Sequence, residues 1–116
     1  MTLSEIAKKL SLAGIDDADF EASLLVCHFM NISRASLLAD GRMKDYASPE
    51  LEEAVKKRCT RYPLQYIIGK WEFFGLEFEV NENCLIPRPD TEILAEAAIE
   101  AANAVLRKKG SVRVLD

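Results

Sequence analysis

Leu85-Ile86-Pro87-Arg88-Pro89-Asp90-Thr91-Glu92 is the stretch on which the reading of this chain turns. The two prolines fix φ at 87 and 89 and bias Ile86 and Arg88 toward extended backbone. An Ala-rich helical pattern follows at once, so the stretch is a rigid corner leading into a helix. Arg88 is presented on fixed backbone, and Glu92 falls in the first helical turn, where a carboxylate suits the helix dipole. Taken alone, these residues read as a proline-punctuated linker with a good helix start.

Downstream, Leu94, Ala98, Ala101 and Val105 recur at helical spacing, which predicts a long amphipathic helix from Asp90 to Lys109. Lys108, Lys109 and Gly110 complete its end. Val112-Arg113-Val114-Leu115-Asp116 then reads as a strand. A strand after a helix is where an α/β sheet begins, and one strand cannot bury itself. On this reading the chain is expected to be the front part of something longer.

Upstream, Asn81-Glu82-Asn83 is a loop. Before it, Trp71 and Phe73 alternate with polar residues, Phe74-Gly75 supplies a turn, and Leu76, Phe78 and Val80 alternate with Glu77 and Glu79. That is a β-hairpin with one apolar face. A lone hairpin is marginal in water, so the face calls for a covering surface.

The first half is helical throughout. Thr2 with Glu5 fits a capping box, Leu3, Ile6, Ala7 and Leu10 make one face, and Gly14 stops the helix. Asp16, Asp17 and Asp19 crowd the start of a second helix that carries Ala18, Ala22, Leu25, Val26 and Phe29. Ser33 caps a short third helix from Arg34 to Ala39, ended by Asp40-Gly41. Ser48-Pro49 opens a fourth, with Leu51, Ala54, Val55 and Cys59 inward and Tyr62-Pro63 as its stop. Short connections favour antiparallel neighbours, so residues 1–62 read as a small helical bundle. Residues 63–88 are then a linker that contains the hairpin.

With 116 residues, 49% of them hydrophobic, a single modest core is within reach. No apolar run approaches the ~18 residues needed to cross a bilayer. The opening residues hold Glu5, Lys8 and Lys9 and do not form a secretory signal. The chain reads as soluble, with no membrane partner. Cys27, Cys59 and Cys84 form no C-x-x-C pair or His/Cys cluster, so no metal site is expected. Unpaired thiols suit a reducing cytoplasm. Cys27-His28 are sequence neighbours on a helix and do not face each other, which argues against a catalytic dyad.

The net charge of −4 lacks the basic excess of nucleic-acid binders. The local exception is Lys56-Lys57-Arg58-Cys59-Thr60-Arg61. Basic residues there complement the C-terminal dipole of the fourth helix, and a partner-binding patch of Lys56, Lys57, Arg58 and Arg61 is the sharper alternative.

Three blocks carry a resemblance. Arg61-Tyr62-Pro63-Leu64-Gln65-Tyr66-Ile67-Ile68-Gly69, Trp71-Glu72-Phe73-Phe74-Gly75-Leu76 and Leu85 to Glu92, in this order and spacing, resemble the HemK/PrmC family. Its members are S-adenosylmethionine-dependent methyltransferases that modify a glutamine in class 1 peptide chain release factors. The match is close over 61–92 and holds only in pattern before that. The family's Gly-rich loop and Asn-Pro-Pro-Tyr motif are not in this sequence. The resemblance therefore implies a mainly α chain: a helical bundle, a hairpin, and from residue 89 the first helix and strand of a truncated Rossmann-like methyltransferase domain.

The resemblance further implies that Leu85, Arg88, Thr91 and Glu92 lie beside the cofactor–glutamine pocket of the complete enzyme. An Arg88–Glu92 pair, four residues apart, competes with direct substrate contact. It implies that 1–62 recognises the release factor, that no catalytic residue lies in this portion, and that S-adenosylmethionine is not held by it. A nucleic-acid-binding module and a purely structural, self-associating helical module are the competing readings.

Overall fold

A computed structural model describes residues 1–115. Its contacts separate a unit spanning Met1–Gly69 from one beginning at Lys70. Each has its own local logic.

The first unit holds α1 (Leu3–Leu12), α2 (Ala18–Met30), α3 (Arg34–Asp40), α4 (Pro49–Cys59) and α5 (Leu64–Ile68). Thr2 and Glu5 form the expected capping box: Glu5 N–H donates to Thr2 Oγ1 at 3.2 Å and Thr2 N–H donates to Glu5 Oε2 at 2.9 Å. Gly14 then closes α1 with a positive φ of 82°. Its N–H reaches the Ser11 carbonyl, and Ile15 N–H reaches Leu10 at 3.1 Å, the reciprocal pattern of a Schellman ending. Ser33 and Ser48 cap α3 and α4 through the N–H groups of Ser36 and Leu51. Pro49 occupies the first turn, where a missing N–H removes no bond.

The core is made where α1, α2 and α4 meet. Ile6, Leu10, Leu25, Val26, Leu51 and Val55 are its fully buried large side chains. Each contributes about 1.5–3 kcal/mol by leaving water, so truncating any of them to alanine would be felt by the whole unit. The segment before α4 lies along the N-terminus: Tyr46 N–H donates to the Met1 carbonyl at 2.9 Å, and Thr2 bridges Asp45.

One helix is additional to the sequence reading. The chain does pause at Tyr62-Pro63, but Leu64–Ile68 then makes a short helix that packs on α2 and α4, with Leu64 buried. Gly69 ends it at φ 79°. The compact unit thus extends past residue 62 to Gly69.

In the second unit, β1 (Lys70–Phe73) and β2 (Leu76–Glu79) pair antiparallel, with Trp71 opposite Phe78 and Phe73 opposite Leu76. These place the aromatic residues on one face and Lys70, Glu72, Glu77 and Glu79 on the other. Helix α6 runs from Pro89 to Lys109 and ends at Gly110. None of its residues is fully buried, and Ile93 and Leu94 stand well exposed. Residues 112–115, read from sequence as a strand, pair with nothing among the described residues. A strand exists by its ladder, and β-branched residues without a neighbouring strand have no backbone partner to fix them. Asp116, the last residue of that expected strand, lies outside the described residues.

Candidate functional site

The basic run at the end of α4 is divided by the fold into separate tasks. Arg58 turns inward: its Nε donates to Glu21 Oε2 at 2.6 Å and its Nη2 to Glu21 Oε1 at 2.9 Å. Its remaining Nη1 donates to the Tyr62 carbonyl at 3.1 Å. Both side chains of the ion pair keep only about 15% of their surface in water. Lys57 lies over the Tyr62 ring, 4.3 Å from its centroid. Arg61 adopts a positive φ of 70° and folds back so that Nη2 meets the Gly14 carbonyl at 3.4 Å. Lys56 is exposed and borders a groove of about 550 Å³ between α1 and α4, with Lys9, Leu12, Val55 and Cys59 on its walls. The four cations therefore have different local partners, and Lys56, Lys57 and Arg61 remain exposed. Arg58 is chiefly an α2–α4 tie, and its partner Glu21 is a residue that sequence reading missed.

The proline corner leaves Leu85, Arg88 and Thr91 exposed and Glu92 half-buried. Arg88 is the N-cap residue of α6, in extended backbone with no side-chain capping bond. Glu92 reaches away from Arg88: its Oε1 accepts the backbone N–H of Phe74 at 2.9 Å. Phe74 occupies the hairpin turn with a positive φ of 52°. Of the two readings of Arg88 and Glu92 as a helical pair or as substrate contacts, the pair is not formed among the described residues. The corner is further stiffened by an Asx turn, Asn83 N–H to Asn81 Oδ1 at 2.8 Å.

Cys27 and His28 do not cooperate. His28 is exposed and sets its ring edge against Phe29 at 4.9 Å. Burial raises the Cys27 thiol above its ordinary pKa, against an opposing pull from Arg34, so the thiolate is disfavoured.

A family model described as the PrmC N-terminal domain matches residues 2–69. That is the compact helical unit almost to the residue. The chain belongs to this family. Its PrmC-type helical domain and the hairpin–α6 segment also align with longer curated proteins. A release factor glutamine methyltransferase of Nitratidesulfovibrio vulgaris is 36% identical over 116 residues, covering 98% of this chain and 38% of that protein. A protein of the same name from Moorella thermoacetica is 35% identical over 100 residues, covering 84% of this chain and 35% of its own length. A bifunctional methyltransferase of Rickettsia bellii is 36% identical over 100 residues, covering 84% of this chain and 18% of its own. The chain spans less than two-fifths of the length of these relatives.

Proposed function

We propose that this PrmC-family chain is the N-terminal portion of an S-adenosylmethionine-dependent protein-glutamine N-methyltransferase. Its helical unit recognises a class 1 peptide chain release factor in the cytoplasm. The observation that carries this reading is the coincidence of the family match over 2–69 with the compact unit Met1–Gly69. The names of the relatives that align with most of the chain supply the reaction and the substrate.

The chemistry explains why such an enzyme needs a gripping domain. A glutamine amide nitrogen shares its lone pair with the carbonyl, as a peptide nitrogen does, and is a poor nucleophile. Methyl transfer therefore depends on holding that nitrogen against the donor in one orientation, which a loop of a large protein substrate reaches only if the rest of the substrate is fixed. In this reading residues 1–69 supply fixation. Leu85, Arg88, Thr91 and Glu92 belong to the wall of the pocket, and Arg88 is the cation available to it.

The chain by itself transfers no methyl group and binds S-adenosylmethionine weakly or not at all. The exposed apolar side of α6 drives self-association at high concentration, which sedimentation would detect. An assay with methyl-labelled S-adenosylmethionine and a class 1 release factor tests the inactivity. Label appearing in the release factor with this chain as sole enzyme would overturn it.

A further inference from the structure

Phe74 and Gly75 are the two central residues of the hairpin turn, with φ of 52° and 73°. Such a turn favours Asn, Asp or Gly at both places, and a phenylalanine there is held against its preference. What holds it is the bond from its N–H to Glu92 Oε1, 2.9 Å long, from the first turn of α6. The bond closes a loop that already contains the Asn81 turn and the Pro87 and Pro89 corner. Glu92 also has an alternative partner in Arg88, the N-cap residue four positions before it, whose long side chain leaves extended backbone just ahead of the helix. That alternative is the weaker one. Arginine preceding glutamate is the less favourable order, and it places a cation at the positive end of the helix dipole.

We propose that Glu92 is the latch of a two-state device. Bonded to Phe74 N–H, it fixes the hairpin turn to α6 and leaves the Arg88 guanidinium free for an anionic group. Released from Phe74, it pairs with Arg88, relaxes the strained turn and withdraws that cation. The availability of Arg88 thus follows the backbone conformation of Phe74. Glu92 is a positioning residue in this scheme, and the scheme does not depend on which protein the chain recognises.

Amide hydrogen exchange at Phe74, followed by NMR on the full chain, reads the latch directly. Glu92→Ala is expected to speed exchange about tenfold, the effect of losing a charge-assisted bond. Glu92→Gln retains an acceptor oxygen but loses the charge assistance, so exchange is expected between the wild-type and Glu92→Ala rates. Arg88→Ala removes the competitor and is expected to slow exchange about twofold. Glu92→Ala is also expected to weaken protection of the cross-strand amides of β1 and β2; in a Glu92→Ala, Phe74→Asn double variant, asparagine accepts the left-handed backbone unaided, so that cross-strand protection returns. Unchanged exchange in Glu92→Ala, or no recovery in the double variant, would overturn the latch. Unchanged or faster exchange in Arg88→Ala would overturn the second state.

Discussion

Arg58 on α4 and Glu21 on α2 are joined by two parallel hydrogen bonds, 2.6 and 2.9 Å long, with little of either side chain left in water. A fork-on-carboxylate pair at such a site fixes helix orientation, because an ammonium cannot reproduce both bonds. Arg58→Ala is expected to lower stability by about 2 kcal/mol, since it strands a half-buried carboxylate. Arg58→Lys should recover less than half of that loss. A paired Arg58→Met, Glu21→Met replacement should be better tolerated than either single change. Urea denaturation midpoints decide the matter; an Arg58→Ala chain as stable as the parent would contradict the assignment.

Gly14 ends α1 at φ 82°, and a Cβ there would crowd the Arg61 guanidinium as well as strain the backbone. Gly14→Ala is expected to cost about 1–2 kcal/mol, mostly from the left-handed conformation, because the arginine tip can shift. A thermal melt unchanged by the substitution would show that α1 can end in another way.

Glu72 and Glu77 face each other directly across the hairpin, and Lys70 reaches Glu77 only at 3.5 Å from an exposed position. Like charges in direct register weaken a hairpin. Glu72→Lys should therefore stabilise it by about 0.2–1 kcal/mol, read as slower exchange of the β1 and β2 amides. Faster exchange would mean that the acidic face is compensated in some other way.

Tyr46 is buried and its hydroxyl donates to Asp40 Oδ2 at 3.3 Å. Burial raises its pKa, and the neighbouring Asp40 carboxylate raises it further. The fold thus favours the neutral phenol, so its contribution is complete below the ordinary ionisation near pH 10. It is lost as pH rises through the raised folded value. Asp40 behaves oppositely. Its hydrogen bond from Lys44 lowers its pKa, and its contribution is lost as pH falls below about 4. Tyr46→Phe should flatten the alkaline decline in stability and leave most of the acid limb in place, since Lys44 is the main cause of the lowered Asp40 pKa. An unaltered alkaline limb would contradict this role for the phenol.

The helices were legible because their signals are local. Thr2 with Glu5, Ser33 and Ser48-Pro49 mark starts within a few residues, and the α1 and α4 stripes have clear helical spacing. Helix α5 escaped because a single turn of Leu64–Ile68 is too short to show a period, and Pro63 before it reads as a stop. The expected strand at 112–115 had the right residues, yet residue preference cannot supply a pairing partner. The Arg58–Glu21 tie spans 37 positions, and no local pattern announces it. The sequence places Glu92 in the first turn of α6, but its partner is a backbone N–H, which every residue but proline carries and no sequence marks. Only the unsuitability of Phe74 for a left-handed turn hinted that something must hold it.

The most direct test of the proposed function is a calorimetric titration of the 116-residue chain with a class 1 peptide chain release factor. Saturable one-to-one binding is expected, carried by the helical unit and retained when S-adenosylmethionine is left out. No detectable binding at low salt and high concentration of both proteins would contradict the claim that this domain recognises the substrate.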